Sequence, residues 1–153
     1  MADRGNHRVQ LFTIEGKCLL CFGSYGNQYG QLSSPTFVAI AENNWFVVSD
    51  HGNNRIVCYD NNGLFSQESG TEGGDPGEFK DPNGITIDPE GFVIVADTGN
   101  DRVQVLTPDL KYFSQFGCHG NQNTQFKTPM GVALTKDGSV AVSDAINYRV
   151  QLF

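Results

Sequence analysis

The chain has 153 residues, a length that suits one domain with its own core and excludes a large multidomain enzyme. Hydrophobic residues make up 39% and charged residues 18% of it, a balance typical of folded chains. The 10 Lys and Arg against 17 Asp and Glu give a formal net charge of -7. This charge disfavours a general nucleic-acid binder, because phosphate binding requires a basic surface.

No stretch has the roughly 18 consecutive apolar residues of a membrane span, and the first residues lack the basic start and apolar run of a signal peptide. The four cysteines, Cys18, Cys21, Cys58 and Cys118, need not pair, because a domain of this size does not depend on disulfides. We therefore predict a chain that is not secreted, has no membrane association and resides in the reducing cytoplasm.

An internal repeat determines the predicted architecture. The segments ADRGNHRVQLF, SDHGNNRIVCY, ADTGNDRVQVL and SDAINYRVQLF recur every 47 residues without insertion or deletion. Glycines and prolines outside these segments follow the same period, including Gly23, Gly70 and Gly117. So many coincident positions indicate true structural copies, each forming one unit of the fold.

Each period contains short apolar or alternating runs bounded by Gly, Pro, Asn and Asp, which is the pattern of strands, and no helical period is found. In the third period we predict strands at residues 84–88, 92–96, 102–106 and 111–116, with a loop at 97–101. The second strand, FVIVA, is apolar on both faces and is predicted to be central, whereas the more mixed fourth strand is predicted at the edge. Four strands per repeat of this length are typical of a β-propeller blade.

These segments resemble NHL repeats, the propeller repeats found at the C-terminus of tripartite-motif ubiquitin ligases. The resemblance rests on the DxGNxR[VI]Q core, on the Gly-rich segment between copies, and on the G[VI]xxxxxG hairpin. NHL propellers are usually six-bladed, so the resemblance implies an all-β β-propeller of four-stranded NHL-type blades, three blades per chain, or half of a ring. The chain is then one unit, 1–153, with repeats at about 1–34 (partial), 35–81, 82–128 and 129–153 (partial).

The repeated Asp, Asn and Arg are predicted to be structural, because a residue type present once per blade solves a problem that every blade has. The Asp can accept hydrogen bonds from loop amides, and the Arg can pair with a carboxylate or carbonyl. In the last copy Ile146 replaces the loop glycine, which predicts an altered loop there. The set is Asp3, Asn6, Arg8, Asp50, Asn53, Arg55, Asp97, Asn100, Arg102, Asp144, Asn147 and Arg149.

Positions that vary between copies are better candidates for partner contact, since blade architecture does not determine them. They are predicted to share one rim with the segments that cross between copies, residues 23–35, 70–82 and 117–129. We name this surface the crossing rim, and the opposite surface, built from hairpin turns, the hairpin rim. Individually, many such residues are simply solvated loop residues. The candidates are Arg4, His7, Tyr25, Tyr29, His51, Asn54, His119 and Tyr148.

We expect a recognition scaffold that binds a protein partner, as in the substrate-recognition propeller of a ubiquitin ligase. The alternative is that the complete propeller binds RNA stem-loops in post-transcriptional regulation, although neither rim of this chain is basic. No catalytic residue, cofactor or metal site is predicted. His7 and His51 could share a metal in adjacent blades but lack a third ligand, and the CLLC segment imitates a zinc-binding pair only in spacing.

Counting strands predicts self-association. An open half-ring exposes a blade face and an unpaired edge, the arrangement that drives association. We therefore expect a homodimer that completes six blades. The sequence RVQLF occurs at both ends, and the copy at Arg8 is the expected occupant of the shared blade, because it keeps Gly5 and its own fourth strand. We also expect residues 68–78, rich in glycine and acids, to be the most mobile loop.

Overall fold

The computed structural model describes residues 1–153 as a chain of β-strands interrupted by three single-turn 3₁₀ segments. The first sheet contains β1 (Ala2–Asp3), β2 (Arg8–Phe12) and β3 (Cys18–Phe22). The second contains β4 (Val38–Ile40), β5 (Phe46–Asp50), β6 (Arg55–Tyr59) and β7 (Phe65–Ser69). The third contains β8 (Pro82–Ile87), β9 (Val93–Asp97), β10 (Arg102–Leu106) and β11 (Tyr112–Phe116). After the short β12 (Cys118–His119) and β13 (Gln125–Phe126), the fourth contains β14 (Pro129–Leu134), β15 (Val140–Asp144) and β16 (Arg149–Leu152).

Within each of these sheets, strands that follow one another in the chain are antiparallel neighbours. The all-β prediction is confirmed, as are the central place of β9 and the edge place of β11. The predicted first strand of the third sheet begins too late, since β8 begins at Pro82. Pro82 pairs with Asp97 across an irregularity that separates it from the regular pairing at Ile85, and this bulge hid the strand's start from a pattern-based prediction.

The sheets stack face to face in chain order, and apolar side chains fill each interface. Val9 of the first sheet packs in one cluster with Val48 of the second, and Val47 of the second packs with Val95 of the third. Ile94 of the third sheet shares a further cluster with Val142 of the fourth. Burial of each such side chain contributes about 1.5–3 kcal/mol, so these interfaces supply most of the stability.

The segments that cross between copies turn back on themselves and insert one large apolar side chain into the stack. Leu32, Phe79 and Phe126 occupy equivalent positions, and each has no exposed surface. Gly70, with φ of +103°, makes room for Phe79, because a Cβ at Gly70 would lie 2.5 Å from the Phe79 ring. The crossings therefore belong to the core as much as the sheets do.

Candidate functional site

In each sheet an ion pair closes the loop between the repeated Asp and Arg, which we call the signature loop. Asp97 ends β9 and Arg102 begins β10 directly opposite it, so the register brings the two side chains together. Arg102 Nε donates to Asp97 Oδ2 at 2.7 Å, and the pairs Arg55–Asp50 and Arg149–Asp144 do the same at 2.8 Å. The loop between them is one 3₁₀ turn, Thr98–Asn100.

The rest of the guanidinium group binds the crossing that precedes the sheet. Arg102 Nη1 donates to the Gly74 carbonyl at 2.7 Å, and Nη2 donates to the carbonyls of Asp75 and Glu78 at 2.9 Å each. Asn100 Nδ2 donates to the Gly73 carbonyl at 2.8 Å. Arg55 and Arg149 hold residues 27–31 and 121–125 in the same way. We call each Asp, Asn and Arg set a clamp.

The remaining carboxylate oxygen accepts a hydrogen bond from the end of the same crossing. Lys80 N–H donates to Asp97 Oδ1 at 2.8 Å, and Lys127 N–H donates to Asp144 Oδ1 at 2.7 Å. The aspartate therefore accepts a hydrogen bond from a backbone amide of the crossing. The expected donors were the amides of its own loop. Burial by itself raises the pKa of Asp144, but hydrogen bonds from Lys127, Asn147 and Arg149 outweigh it and lower the pKa.

These contacts argue against the expectation that the acidic segment 68–78 is mobile. In addition to its bonds to Arg102, Gly77 N–H donates to Gln104 Oε1 at 2.9 Å, and Gln104 Nε2 donates to the Glu78 carbonyl at 2.6 Å. Gln104 is itself fully buried. The glycine content of this segment suggested a mobile backbone, whereas these hydrogen bonds hold its residues 74–78 in place.

The first clamp binds no crossing. Arg8 Nε donates to Asp3 Oδ2 at 2.8 Å and Asn6 Nδ2 donates to both Asp3 oxygens, but the remaining guanidinium N–H groups have no backbone partner. The Arg8 side chain is 38% exposed, against 8% for Arg55 and Arg102. Hydrogen bonds from Arg8 and Asn6 lower the pKa of Asp3.

The predicted change in the loop at Ile146 is small. At Gly52 a Cβ would lie 2.5 Å from Ser33 Oγ, and at Gly99 it would lie 2.6 Å from Lys80 Cγ. Ile146 has such a Cβ, and its N–H lies 3.2 Å from the Lys127 carbonyl, whereas the Gly52 and Gly99 bonds measure 2.8 Å. The loop moves away from the crossing, yet Asn147 and Arg149 keep their bonds.

The position after the signature asparagine has a structural role that the sequence analysis missed. His7, Asn54 and Asp101 all have φ between 52° and 54°, and each accepts a backbone hydrogen bond from the next crossing. The acceptors are His7 Nδ1, Asn54 Oδ1 and Asp101 Oδ1, atoms at the same distance from Cα. The sequence did contain a signal for this role, because His, Asn and Asp all tolerate a left-handed backbone and carry a hydrogen-bond acceptor the same number of bonds from Cα.

The other predicted contact residues divide into exposed and partly buried ones. Tyr25 is 72%, Tyr29 79% and Tyr148 94% exposed. His119 is also exposed and its Nδ1 lies 2.7 Å from Asp101 Oδ2, and Arg4 is exposed in the first signature loop.

His51 is the partly buried member. Its Nε2 lies 3.6 Å from Asp81 Oδ1, and its Nδ1 is buried without a hydrogen-bond partner. His7 and His51 thus contact different residues, and no group of three or more His, Cys, Asp or Glu side chains could hold a metal ion.

No helix of the structure is long and apolar enough to cross a membrane.

Comparisons with known proteins agree with this geometry. An NHL repeat is detected at residues 79–106, which run from the buried Phe79 through the third sheet's clamp to the end of β10. The fold is similar to that of a streptogramin B lyase structure, with a TM-score of 0.72 and 15% identity over 98% of this chain and 45% of that chain. No curated protein sequence matches the chain.

Two structures of virginiamycin B lyase from Staphylococcus aureus show the same likeness at 15% identity. A catalytically inactive variant with quinupristin has a TM-score of 0.70, and the selenomethionine-substituted protein has one of 0.64. Both matches cover 98% of this chain and 49% of the other. The chain therefore has a propeller-like all-β fold with an NHL repeat, and it spans about half the length of these solved structures.

Proposed function

We propose that the chain is a recognition module that binds a protein partner through its crossing rim, like the substrate-recognition propellers of tripartite-motif ubiquitin ligases. The observation that carries the proposal is the exposure of Tyr25 and Tyr29, at 72% and 79%, on a crossing that Arg55 holds by its backbone. Tyrosine is enriched in protein interfaces because its ring offers both apolar area and a hydroxyl group.

The two rings are oriented before any partner arrives. The Tyr25 ring centroid lies 4.6 Å from that of His7, and the Tyr29 centroid lies 5.2 Å from that of Phe65. Side chains ordered in advance avoid an immobilisation cost of about 0.5–1.5 kcal/mol each on binding. A fixed frame with exposed rings is the arrangement that a recognition surface requires.

The clamps support a protein partner over RNA. Arg55 and Arg102 belong to loops that the sequence places on the crossing rim. Both are only 6% exposed, however, and their N–H groups bind carboxylates and carbonyls. They are therefore not available to phosphates, and because each is paired with a buried aspartate, the rim keeps its net negative charge. This favours a protein partner and leaves RNA as an outcome of the test.

The test is affinity capture from cell extract with quantitative mass spectrometry. The wild-type chain is compared with the variant Tyr25→Ala/Tyr29→Ala and with the control Ile14→Ala/Leu64→Ala, which truncates two exposed hairpin-rim residues. Proteins recovered by the wild type and the control should fall at least tenfold with the tyrosine variant and should withstand ribonuclease. Equal recovery by the tyrosine variant, or recovery that requires RNA, would contradict the proposal.

We also propose that the four sheets are three blades of a six-bladed ring and that a second copy completes it. Val150 on β16 is 66% exposed, whereas the equivalent Ile56 and Val103 are fully buried against the following sheet. In the shared blade, β2 of a second copy would take the place of β16, and its Val9, which stands at the position equivalent to Val150, is already buried against its own second sheet. Its clamp at Asp3 and Arg8 can bind the crossing at residues 117–129 in place of the loop that carries Ile146.

Light scattering tests the assembly at micromolar concentration. We expect the mass of two chains for the wild type and an unchanged mass for the control Ile14→Asp on the hairpin rim. Arg8→Ala should weaken the dimer without unfolding the chain, since the Arg8 side chain is 38% exposed and holds no crossing of its own chain. A folded wild-type monomer would contradict the dimer while leaving the proposal for the crossing rim intact.

We further propose a cytoplasmic protein that binds and does not catalyse. Three of its four free thiols, Cys18, Cys21 and Cys118, are exposed, which suits a reducing compartment. The likeness to lyases is one of fold, so quinupristin incubated with the purified chain should remain intact by mass spectrometry. Turnover of quinupristin would overturn the non-catalytic part of the proposal.

A further inference from the structure

A groove opens on the hairpin rim, between the second and third sheets and away from the crossing rim. Its volume is about 240 Å³, and its apolar walls include Trp45, Ile87, Pro89 and Pro108 above a floor that includes Val47 and Val93. Ligand pockets for drug-sized molecules are typically about 300–1,000 Å³. This groove is therefore suited to one or two amino-acid side chains.

Trp45 forms the aromatic wall of the groove, because no other aromatic ring covers the Trp45 side chain. The equivalent residue one period later, Phe92, stacks on Phe113 at a centroid distance of 4.9 Å. Ser66 stands at the position equivalent to Phe113, and Trp45 stacks on no aromatic side chain. Trp45 packs on the core below it yet keeps part of its surface free toward the groove.

Three carboxylates line the same groove. They belong to Glu42, Asp88 and Glu90, and none of them forms an ion pair. Asp88 is held in place, because its Oδ1 accepts hydrogen bonds from the N–H groups of Glu90 and Phe92 at 3.0 and 2.8 Å. The groove thus combines a tryptophan face with fixed negative charge.

We infer that this groove binds an arginine-bearing peptide segment of a partner protein, with the guanidinium over Trp45 and within reach of Glu42 and Glu90. A cation above a tryptophan face is attracted by the negative face of the ring, and carboxylates bind guanidinium through paired hydrogen bonds. The aliphatic stem of arginine and the flanking residues would cover Pro89 and Pro108. Anionic ligands, including nucleic acid, are repelled by the three carboxylates. The site is separate from the crossing rim and does not depend on the function proposed there.

Trp45 is the only tryptophan of the chain, so its fluorescence reports the site directly. The probe is the blocked peptide acetyl-Ala-Arg-Pro-Ala-amide, and the matched control replaces its arginine with citrulline, which has nearly the same shape and no charge. We expect saturable quenching with the arginine peptide, binding at least tenfold weaker with the citrulline peptide, and weakening by salt. Equal binding of both peptides, or no response to either, would overturn the inference.

Two variants locate the charge that matters. Glu42→Gln/Glu90→Gln should weaken the arginine peptide at least fivefold, whereas Glu15→Gln/Glu72→Gln, which removes two exposed acids elsewhere, should leave its affinity within twofold. An equal effect of both variants would mean that net charge and not the groove attracts the peptide. Blocked arginine amide without flanking residues should bind more weakly than the peptide, and equal affinity would contradict a peptide segment as the ligand.

Discussion

Arg102 and Asp97 form an ion pair that joins two strands and a distant segment in one contact. The Nε to Oδ2 distance is 2.7 Å, Asp97 has no exposed surface, and the same guanidinium holds carbonyls of residues 74–78. Arg8 and Asp3 form the same pair at 2.8 Å but near the surface and with no crossing attached. The two pairs therefore differ both in burial and in the crossing that only Arg102 holds.

We expect Arg102→Ala to lower the free energy of unfolding by about 3–5 kcal/mol, because it leaves the Asp97 carboxylate buried and uncompensated and frees the second crossing. Arg8→Ala should change the unfolding midpoint far less. Urea unfolding followed by circular dichroism measures both. Similar effects of the two substitutions would show that the crossing contributes little to the energy of a clamp.

Gly52→Ala should destabilise the chain by about 1–3 kcal/mol, since the added Cβ would lie 2.5 Å from Ser33 Oγ and 2.9 Å from the Ser33 carbonyl oxygen. Gly5→Ala is the matched control in the first signature loop, where no atom lies within 4 Å of the added Cβ. Thermal unfolding of the two variants should therefore diverge. A tolerated Gly52→Ala would mean that the crossing yields easily.

Asp101→Ala should cost about 1–2 kcal/mol, because the Thr128 N–H loses its acceptor and alanine is less suited to the φ of 52° at this position. Asp101→Asn keeps both the acceptor and the backbone preference and should retain stability. Chemical denaturation of the two variants distinguishes a structural role of Asp101 from a role in partner contact. Unchanged stability in Asp101→Ala would point to contact only.

Acid should weaken the fourth sheet through Asp144. Its pKa is lower in the folded chain than the usual value of about 3.9, so its contribution is fully present above about pH 4 and is lost as the pH falls through the folded pKa. We expect Asp144→Asn to be less stable than wild type at pH 6, with the difference shrinking toward pH 2. Urea midpoints across this range provide the measurement, and a constant difference would exclude the linkage.

The cysteines should react in two classes. Cys18, Cys21 and Cys118 are exposed, whereas Cys58 is 4% exposed and burial raises the pKa of its thiol to about 11. At pH 8 an aromatic disulfide reagent should modify three thiols per chain quickly and the fourth only after denaturation. Four fast thiols in the folded chain would show that the second sheet opens readily.

Much of the fold could be read from local pattern. The 47-residue period, the alternation of apolar and polar residues, and the Gly and Asn signals predicted β9 and β10 within one residue of their observed bounds, and they predicted the central place of β9. The prediction that Asp97, Asn100 and Arg102 are structural likewise rests on their repetition. These features depend on residues that are close in sequence, where backbone preferences and side-chain spacing act directly.

Tertiary structure alone decided what the repeated residues hold. Arg102 binds carbonyls 24–28 residues earlier, and Asp101 accepts an N–H 27 residues later, partners that no local pattern identifies. The groove beside Trp45 likewise depends on how the second sheet stacks on the third and on the serine at position 66. Such contacts depend on the distance and angle between sheets, which are set by the joint packing of many side chains and not by any one segment.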